Sequence, residues 1–515
     1  MATQWQTFPI EFKGGLISNL SPLQHGSNAV GSATILQNFE SNKEGGYSKL
    51  KGYEKYSNTT VPGSGPILAL KVISSGRIIA ARKNTSNYTQ YYYGTGGSWV
   101  SMATSTGTNG GKARHVLFNL DGSDKVLFVD GTNYPAIYNT SGNVTTFMTS
   151  SNSPDIVGAS HVAYFKSAAF FAKGNTLFFT APFSVDNFSA ADGAGSINIG
   201  NNITGLAVFR EQLIVFTSDS IKKITGSTSA DFRQQPITDR IGCINGDTIQ
   251  EVGGDIMYLA PDGIRLLSAT DRIGDFGLDI ASDKIAKDAN VFLSQTSNFC
   301  SVLLKEKAQY RIFGYVQSEQ SEAAKGLIAT KFASQGAGNF SWSTTKGIKA
   351  FVADSRYTGT TETLSFANED GYVYILESGS SFNGSPIECI YESPYMPISD
   401  PQVRKTFYKL TLYAEPTGSM NLDLNLKYDF SSSTNTDVVQ PSTLSISSTG
   451  SSVFLFGASN AVFNTATFGG ELDSVYNKNV IGSGKTVALR FEDFSTNPTF
   501  TLDTALLEYS QEDRQ

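Results

Sequence analysis

The run Leu213-Ile-Val-Phe-Thr217 is short, apolar and rich in β-branched and aromatic residues, which is typical of a buried strand. Similar runs recur along the chain, and each is predicted to be the inner strand of a small sheet: Arg77-Ile-Ile-Ala-Ala-Arg82, Lys125-Val-Leu-Phe-Val129, Ala168-Ala-Phe-Phe-Ala172, Ile256-Met-Tyr-Leu259 and Gly371-Tyr-Val-Tyr-Ile375. Most of them begin about 40 to 50 residues after the one before, which is typical of propeller blades with four strands each. Pairs such as Asp130-Gly131 provide the turns, because Asp-Gly tolerates positive φ.

The sequence therefore predicts an all-β fold in which a β-propeller of six to eight blades occupies residues 56–384. The longer gap before the last apolar run has room for one more unit. Residues 1–55 are predicted to form an arm whose final strand, ending near Tyr56, has no local partner and closes the ring. Short helices are expected at 31–40 and 278–290. A pair of ordinary β-sandwiches is the alternative.

A β-sandwich domain is predicted after the propeller, over residues 385–515. The segment Ser393-Pro-Tyr-Met-Pro-Ile-Ser-Asp-Pro401 contains three prolines and is expected to be an extended connector. Long alternating strands follow it at 405–413 and 420–429, and another is expected at 500–508.

The composition of the 515 residues excludes several classes of protein. A hydrophobic fraction of 40% is too high for intrinsic disorder, and no apolar run reaches the roughly 18 residues of a membrane span. The net charge of −7 argues against a protein that grips nucleic acid through a basic surface, but not against one that lets DNA pass. The N-terminus lacks the basic and apolar regions of a signal peptide, so none is expected.

Residues that carry catalytic or metal chemistry are few and scattered. The histidines have no cysteine or carboxylate neighbours at the spacing of metal ligands: His25, His115 and His161. The cysteines lie far apart and are expected to be buried free thiols: Cys243, Cys300 and Cys389. No Walker loop, nucleophile elbow or His-Glu-x-x-His motif occurs. We therefore predict a protein that is not an enzyme and that has no catalytic residues, no cofactor and no metal.

Three stretches carry a further signal through their order and spacing. They are Glu11-Phe-Lys-Gly-Gly-Leu-Ile-Ser-Asn-Leu-Ser-Pro22 with Leu36–Glu40 and Gly45–Gly52, then Asn202–Thr217 with Ser220–Gly226, and then Asp239–Gly246 with Asp255–Leu267. Together they resemble the phage tail tubular protein B, or tail nozzle, family and the related packaged-DNA stabilisation proteins.

The resemblance implies a structural virion protein of a phage tail, made in the host cytoplasm. Subunits of that family form a ring, expected to be a homohexamer, below the head-to-tail adaptor; the ring retains the genome and conducts DNA during ejection. The expected partners are further copies of the chain, the adaptor ring, tail fibres and genomic DNA in transit without tight binding. No membrane span is expected.

A ring that lets DNA pass without gripping it is expected to have an acidic or neutral lumen. Four carboxylates are candidates for that lumen, because they sit at or beyond strand ends in the segment that best matches the family: Asp255, Asp262, Asp271 and Asp275. The alternative function is a propeller-type tail protein that binds glycans for receptor recognition, with Tyr91-Tyr-Tyr93 and Trp99 as the candidate aromatics. A cellular propeller scaffold is a third interpretation, supported by the fold alone.

Overall fold

β-Strands make up almost all of the regular structure. The structure, a computed structural model, describes residues 5–21, 24, 26–74, 76–104, 108–139, 144–148, 156–268, 280–296, 298–316, 320–332, 339–431, 441–448 and 474–512. The helix α1 (Ala286–Gln295) overlaps the helix predicted at 278–290. The helix predicted at 31–40 is wrong, because Leu36 and Phe39 are buried in strands that pair with distant parts of the chain.

Five short strands precede the propeller. Four of them pair with strands from much later in the chain, and the remaining one pairs with its hairpin partner. They are β1 (Gln6–Glu11), β2 (Ile35–Gln37), β3 (Phe39–Ser41), β4 (Tyr47–Lys49) and β5 (Tyr53–Lys55). The N-terminal arm is thus part of the sheets of the molecule and is not an extension from it.

Four four-stranded blades follow, each an antiparallel meander. Their strands are β6 (Ser64–Ser74), β7 (Arg77–Lys83), β8 (Thr89–Gly94) and β9 (Trp99–Thr104) in blade 1; β10 (Arg114–Leu120), β11 (Ser123–Val129), β12 (Ala136–Asn139) and β13 (Val144–Phe147) in blade 2; β14 (His161–Phe165), β15 (Ala168–Lys173), β16 (Thr176–Phe179) and β17 (Gly195–Asn198) in blade 3; and β18 (Ile203–Phe209), β19 (Gln212–Thr217), β20 (Ile221–Thr225) and β21 (Arg233–Thr238) in blade 4.

A three-stranded sheet and two more blades complete the ring. Their strands are β22 (Gln250–Val252), β23 (Asp255–Ala260) and β24 (Gly263–Leu266) in the three-stranded sheet; β25 (Asn298–Leu304), β26 (Gln309–Tyr315), β27 (Lys325–Thr330) and β28 (Ser341–Lys346) in blade 5; and β29 (Val352–Thr358), β30 (Thr361–Ala367) and β31 (Val373–Leu376) in blade 6. Strand β5 is the fourth strand of blade 6, antiparallel to β31, so a strand from the N-terminal arm joins the last blade. Within the described residues the propeller therefore has six four-stranded blades and one three-stranded sheet, which confirms the predicted fold.

The remaining strands form two further sheets that face each other. They are β32 (Ile387–Glu392), β33 (Lys405–Pro416), β34 (Met420–Tyr428), β35 (Leu444–Ser448), β36 (Val475–Asn479), β37 (Ser483–Gly484), β38 (Val487–Ser495) and β39 (Phe500–Gln511). One sheet has the order β3-β4-β39-β33-β36, with β1 also paired to β39 and β37 to β33. Aromatic side chains of the two sheets pack against each other in the space between the sheets. For example, Phe407 stacks on Tyr428 with ring centroids 5.5 Å apart. This is the sandwich that the sequence predicts at the C-terminus.

The second of these sheets is continuous with a propeller blade. Strand β2 pairs in parallel with β28 of blade 5 and antiparallel with β32, which gives a nine-stranded sheet in the order β25-β26-β27-β28-β2-β32-β38-β34-β35. The arm strand β2 therefore joins the blade to the C-terminal sheet, because without it neither neighbouring edge is paired.

The apolar runs of the sequence are mostly the second strands of blades, counted from the axis, and not the first. Strands β7, β15, β19 and β23 are almost wholly buried, because a second strand is covered on both faces by neighbouring blades. Between blades 1 and 2, for example, Ile79 packs in one apolar cluster with Phe128. The innermost strands are more mixed: β10 begins with Arg114 and His115 and β29 contains Asp354 and Arg356, whereas β6 is mostly apolar and buried.

Candidate functional site

A cavity of about 280 Å³ lies on the propeller axis, where the innermost strands begin. Its wall takes residues from β6, β10, β14, β18, β25 and β29 and from the turn before β22, so every unit of the ring contributes. Because the first residues of these strands converge at one face of the ring, side chains far apart in sequence meet there. The wall is polar: its charged residues are Lys112, Arg114, Asp247 and Asp354.

Asp247 is held at the centre of one ion-pair group. Arg114 donates from Nε to Oδ1 over 2.7 Å and from Nη2 to Oδ2 over 3.0 Å, and the Lys112 ammonium lies 3.1 Å from Oδ2. The turn is fixed by the Asn245 side chain, which accepts a hydrogen bond from the Asp247 N–H. Burial alone raises the pKa of the Asp247 carboxyl, but Lys112 and Arg114 outweigh it and hold this pKa well below its usual range.

Asp354 is the centre of a second ion-pair group in the same site. The Lys71 ammonium donates to its two oxygens over 2.9 and 3.1 Å, the Val72 N–H donates over 2.7 Å, and His115 Nε2 lies 3.3 Å away. Burial raises the pKa of the Asp354 carboxyl, but Lys71 and His115 lower it to about 2. Each group joins a blade from early in the chain to a unit from later in the chain: Arg114 of blade 2 to Asp247, and Lys71 of blade 1 to Asp354 of blade 6. Both groups therefore also stabilise the closed ring.

Two of the three histidines lie in this site, which the sequence did not predict. Burial, with the Lys71 ammonium, lowers the pKa of His115. Burial and then the Arg114 guanidinium lower the pKa of His161 to about 3, so its ring is neutral at neutral pH. The Nδ1 atom of His161 lies 3.0 Å from the Ser160 hydroxyl, whereas its buried Nε2 has no hydrogen-bond partner among the described residues. His25 lies outside the described residues.

Neutral groups complete the wall. Gln250 donates from Nε2 to the Ser301 carbonyl and hydroxyl, each over 3.2 Å, and the Ser301 hydroxyl donates to the Asp247 carbonyl over 2.8 Å. The Cys300 thiol lies 3.2 Å from the Ala350 carbonyl, and burial raises the pKa of this thiol to about 12. Because the thiolate is the reactive form, Cys300 is inert at neutral pH. The site is thus built to hold charge and hydrogen bonds at fixed positions.

The candidate lumen acids lie elsewhere. Asp255 and Asp262 flank the two ends of β23, about 20 Å apart along a strand of this length, and neither lines the axial cavity. Asp255 accepts from the N–H groups of Ile256 and Ser268, over 2.8 and 3.1 Å. Asp262 pairs with Arg265 over 3.0 and 2.6 Å. Asp271 and Asp275 lie outside the described residues.

The aromatic residues proposed for glycan binding are largely packed inside blade 1. Tyr91 and Tyr92 are buried, with 2% and 7% of their surface exposed. Trp99 packs on Tyr56, with ring centroids 5.8 Å apart, and donates from Nε1 to the Thr59 carbonyl over 3.1 Å. Two of the candidates are therefore unavailable as a platform for a sugar ring.

One feature of the sequence could have indicated the axial residues. Arg114, His161 and Asp354 each lie at or near the start of the strand that precedes a buried strand. A polar residue at that position in several repeats indicates the inner wall of a propeller, whereas its partner across the axis cannot be read from spacing.

The described part of the chain has neither a membrane-spanning helix nor a cluster of metal ligands. No helix there has both the length and the apolar character that a membrane span requires. The same residues contain no group of three or more histidine, cysteine, aspartate or glutamate side chains placed to hold a metal ion. All three cysteines are buried and free, as expected.

Comparison with known proteins finds distant structural similarities and no family. No family model and no curated protein matches the chain. The extracellular domain of BT4673 from B. thetaiotaomicron is similar at 10% identity with a TM-score of 0.39, over 70% of this chain and 43% of that one. The WD40 domain of Neurospora crassa Pan2 is similar at 8% identity with a TM-score of 0.37, over 64% of this chain and 96% of that one. The chain spans less than half the length of the first of these structures.

Proposed function

We propose that the chain is a nozzle or tail-tube subunit of a phage tail, which forms a ring below the head-to-tail adaptor, retains the genome and conducts DNA during ejection. The observation that carries the proposal is the ordered resemblance of three stretches to that family. The ring is a homohexamer in the virion, with the adaptor ring and tail fibres as neighbours.

The architecture of the subunit suits a wall that bears load. Strand β5 is the last strand of the last blade, β1 and β4 pair with β39, and β2 lies between β28 and β32. Both ends of the chain are therefore held by pairing with distant strands. Pulling the subunit apart requires many of these hydrogen bonds to break together, which is what a container of compressed DNA needs.

The conduit for DNA is the space enclosed by the ring of subunits and not the axis of each propeller. The axial cavity measures about 280 Å³ and ion pairs such as Lys71–Asp354 and Arg114–Asp247 occupy its wall, so a duplex does not fit. A hexamer carries a formal charge of six times −7, which disfavours a tight grip on phosphates.

The assembly is tested on the purified 515-residue chain. Negatively stained particles at micromolar concentration should show rings with a central opening wider than a DNA duplex. Fluorescence anisotropy with a labelled duplex should detect no binding at about 0.15 M salt, where charges are screened beyond roughly 8 Å. Single propeller-sized particles at all concentrations, or tight and salt-sensitive duplex binding, would argue against the proposal.

The lumen acids are tested separately, because Asp255 and Asp262 lie at opposite ends of β23. Asp255→Lys and Asp262→Lys place a cation at one end or the other, so only the variant whose end faces the lumen should slow genome ejection. The defect should shrink as salt rises, because a phosphate contact releases counterions. Asp186→Lys, at another exposed acid, is the matched control.

A further inference from the structure

The site around the axial cavity has more positive than negative charge, although the chain as a whole is acidic. Lys112 and Arg114 line the cavity together with the carboxylates of Asp247 and Asp354, and a third cation, Lys71, pairs with Asp354 without being part of the wall. Both histidines are neutral at neutral pH and do not change this balance. One positive charge is therefore in excess in a site whose surroundings are largely buried.

Two of these cations line the cavity and retain unused hydrogen-bond donors. The Arg114 guanidinium has five N–H groups, and its contacts among the described residues, with Asp247 and the Ser160 carbonyl, account for three. The Lys112 ammonium has three N–H groups, and contacts with Asp247 and the Phe299 carbonyl account for two. The exposed fraction of the side chain is 28% for Arg114 and 14% for Lys112, so these donors are accessible from the cavity.

His161 has an unpartnered ring nitrogen in the same wall. The residue is 9% exposed and lines the cavity, and its Nε2 has no partner among the described residues. The Ser160 hydroxyl lies 3.0 Å from Nδ1 and donates a hydrogen bond to the Ala172 carbonyl over 3.4 Å. A buried Nε2 without a hydrogen-bond partner is costly in either tautomer unless a bound group supplies one.

We propose that the axial cavity binds a small molecule through a carboxylate or phosphate group, with Lys112 and Arg114 as the donors to its oxygens and His161 as a further polar contact. Donors exceed acceptors and positive charge exceeds negative charge, so an oxyanion satisfies the wall where a cation or a neutral amide does not. A cavity of about 280 Å³ is at the lower end of the range for small-molecule sites, so the ligand is small. This inference does not depend on the role of the chain in a phage tail.

The test uses the intact chain and two probes, sodium phosphate and sodium acetate, each against sodium chloride at equal ionic strength. Thermal unfolding followed by fluorescence should show a saturable rise in Tm with at least one probe, because a ligand that binds only the folded state stabilises it. A response to phosphate alone identifies a phosphate site, and a response to acetate alone identifies a carboxylate site. A shift that never saturates, or no shift with either probe, would overturn the proposal.

Variants separate the cavity from the rest of the surface. Lys112→Gln leaves Asp247 paired with Arg114, and His161→Asn removes a group without a partner, so both are expected to fold cooperatively. Each should weaken binding of the effective probe at least tenfold by calorimetry. Lys173→Gln, at an exposed lysine on β15, should bind as the wild type does. Unchanged affinity in both cavity variants would place the anion elsewhere and refute the assignment.

Discussion

The Lys49 ammonium donates a hydrogen bond to Asp493 over 2.7 Å, and neither side chain has more than 1% of its surface exposed. Lys49 ends β4 in the N-terminal arm, whereas Asp493 lies in β38 of the C-terminal sheet. Two further donations, to the carbonyls of Ser495 and Asn497 over 3.1 and 3.2 Å, use the remaining protons of the ammonium. The pair therefore joins the two ends of the chain inside the sandwich.

Breaking this pair should destabilise the fold strongly. Asp493→Ala leaves a buried ammonium without its counter-charge, and we expect the free energy of unfolding to fall by about 3 to 5 kcal/mol. The double variant Lys49→Met with Asp493→Leu removes both charges and should recover most of that loss. Urea unfolding of the wild type, of Asp493→Ala and of the double variant measures these free energies.

An exposed ion pair provides the matched control. Glu11 and Lys13 form an ion pair with both side chains more than half exposed, so Glu11→Gln should change the unfolding free energy far less than Asp493→Ala does. A loss for Asp493→Ala no larger than that of Glu11→Gln would show that the buried pair contributes little.

The sequence predicts the propeller because the second strand of each blade has a local signal. A run such as Ala168–Ala172 is apolar whichever blades cover it, so its burial can be read without knowing the neighbours. Strand β26 of blade 5, by contrast, contains Gln309 and Arg311, and the apolar signal does not find it. Arg311 is buried there because it pairs with Glu377 over 2.7 Å and Glu40 over 3.0 Å, which are distant in sequence.

The axial site could not be predicted for a related reason. His115 and His161 have no ligand-like neighbours in sequence, and their surroundings come from other blades: Asp354 for the first, and Arg114 with Asp247 for the second. Closure of the propeller ring brings these residues together, so their contacts cannot be predicted from their spacing along the chain. The same holds for β2, whose three residues join two sheets that neither composition nor periodicity connects.

Removing the N-terminal arm should prevent correct folding. Deletion of residues 1–56 takes away β1 to β5, which leaves the edge of β31 open and separates β28 from β32. Because unpaired edges associate with one another, we expect an insoluble product. Deletion of residues 1–5, which ends before β1, is the control and should remain soluble. A soluble 57–515 fragment with a cooperative thermal transition would contradict the expectation.

The thiols should be protected in the folded protein. Burial raises the pKa of Cys243 and of Cys300 to about 12, and it also raises the pKa of Cys389 above its ordinary value. At pH 8 we expect no rapid reaction with a disulfide reagent such as DTNB in native buffer, and reaction of all three thiols in denaturant. Ser86→Cys, at an exposed turn, should add one fast-reacting thiol. A fast thiol in the native wild type would contradict the predicted burial.

The axial site should contribute less to the stability of the fold as pH falls below neutral. Burial and Arg114 lower the pKa of His161 to about 3, against about 6.5 in an unfolded chain. Between these values the unfolded chain binds a proton that the folded chain does not, so acid favours unfolding. His115, whose pKa is also lowered, acts in the same direction. Asp354, with a pKa of about 2 against about 3.9 when unfolded, adds a similar loss at lower pH.

Urea unfolding at pH 7.5, 6, 5 and 4 measures this dependence and separates the contributions. Each proton that the unfolded chain binds in excess lowers the free energy of unfolding by about 1.4 kcal/mol per pH unit. His161→Asn should therefore reduce the slope between pH 6 and 5 by up to about that amount. Asp354→Asn should lower stability at every pH but keep the slope in this interval, because its carboxyl titrates below it. An unchanged slope in His161→Asn would show that His161 is not held neutral in the folded protein.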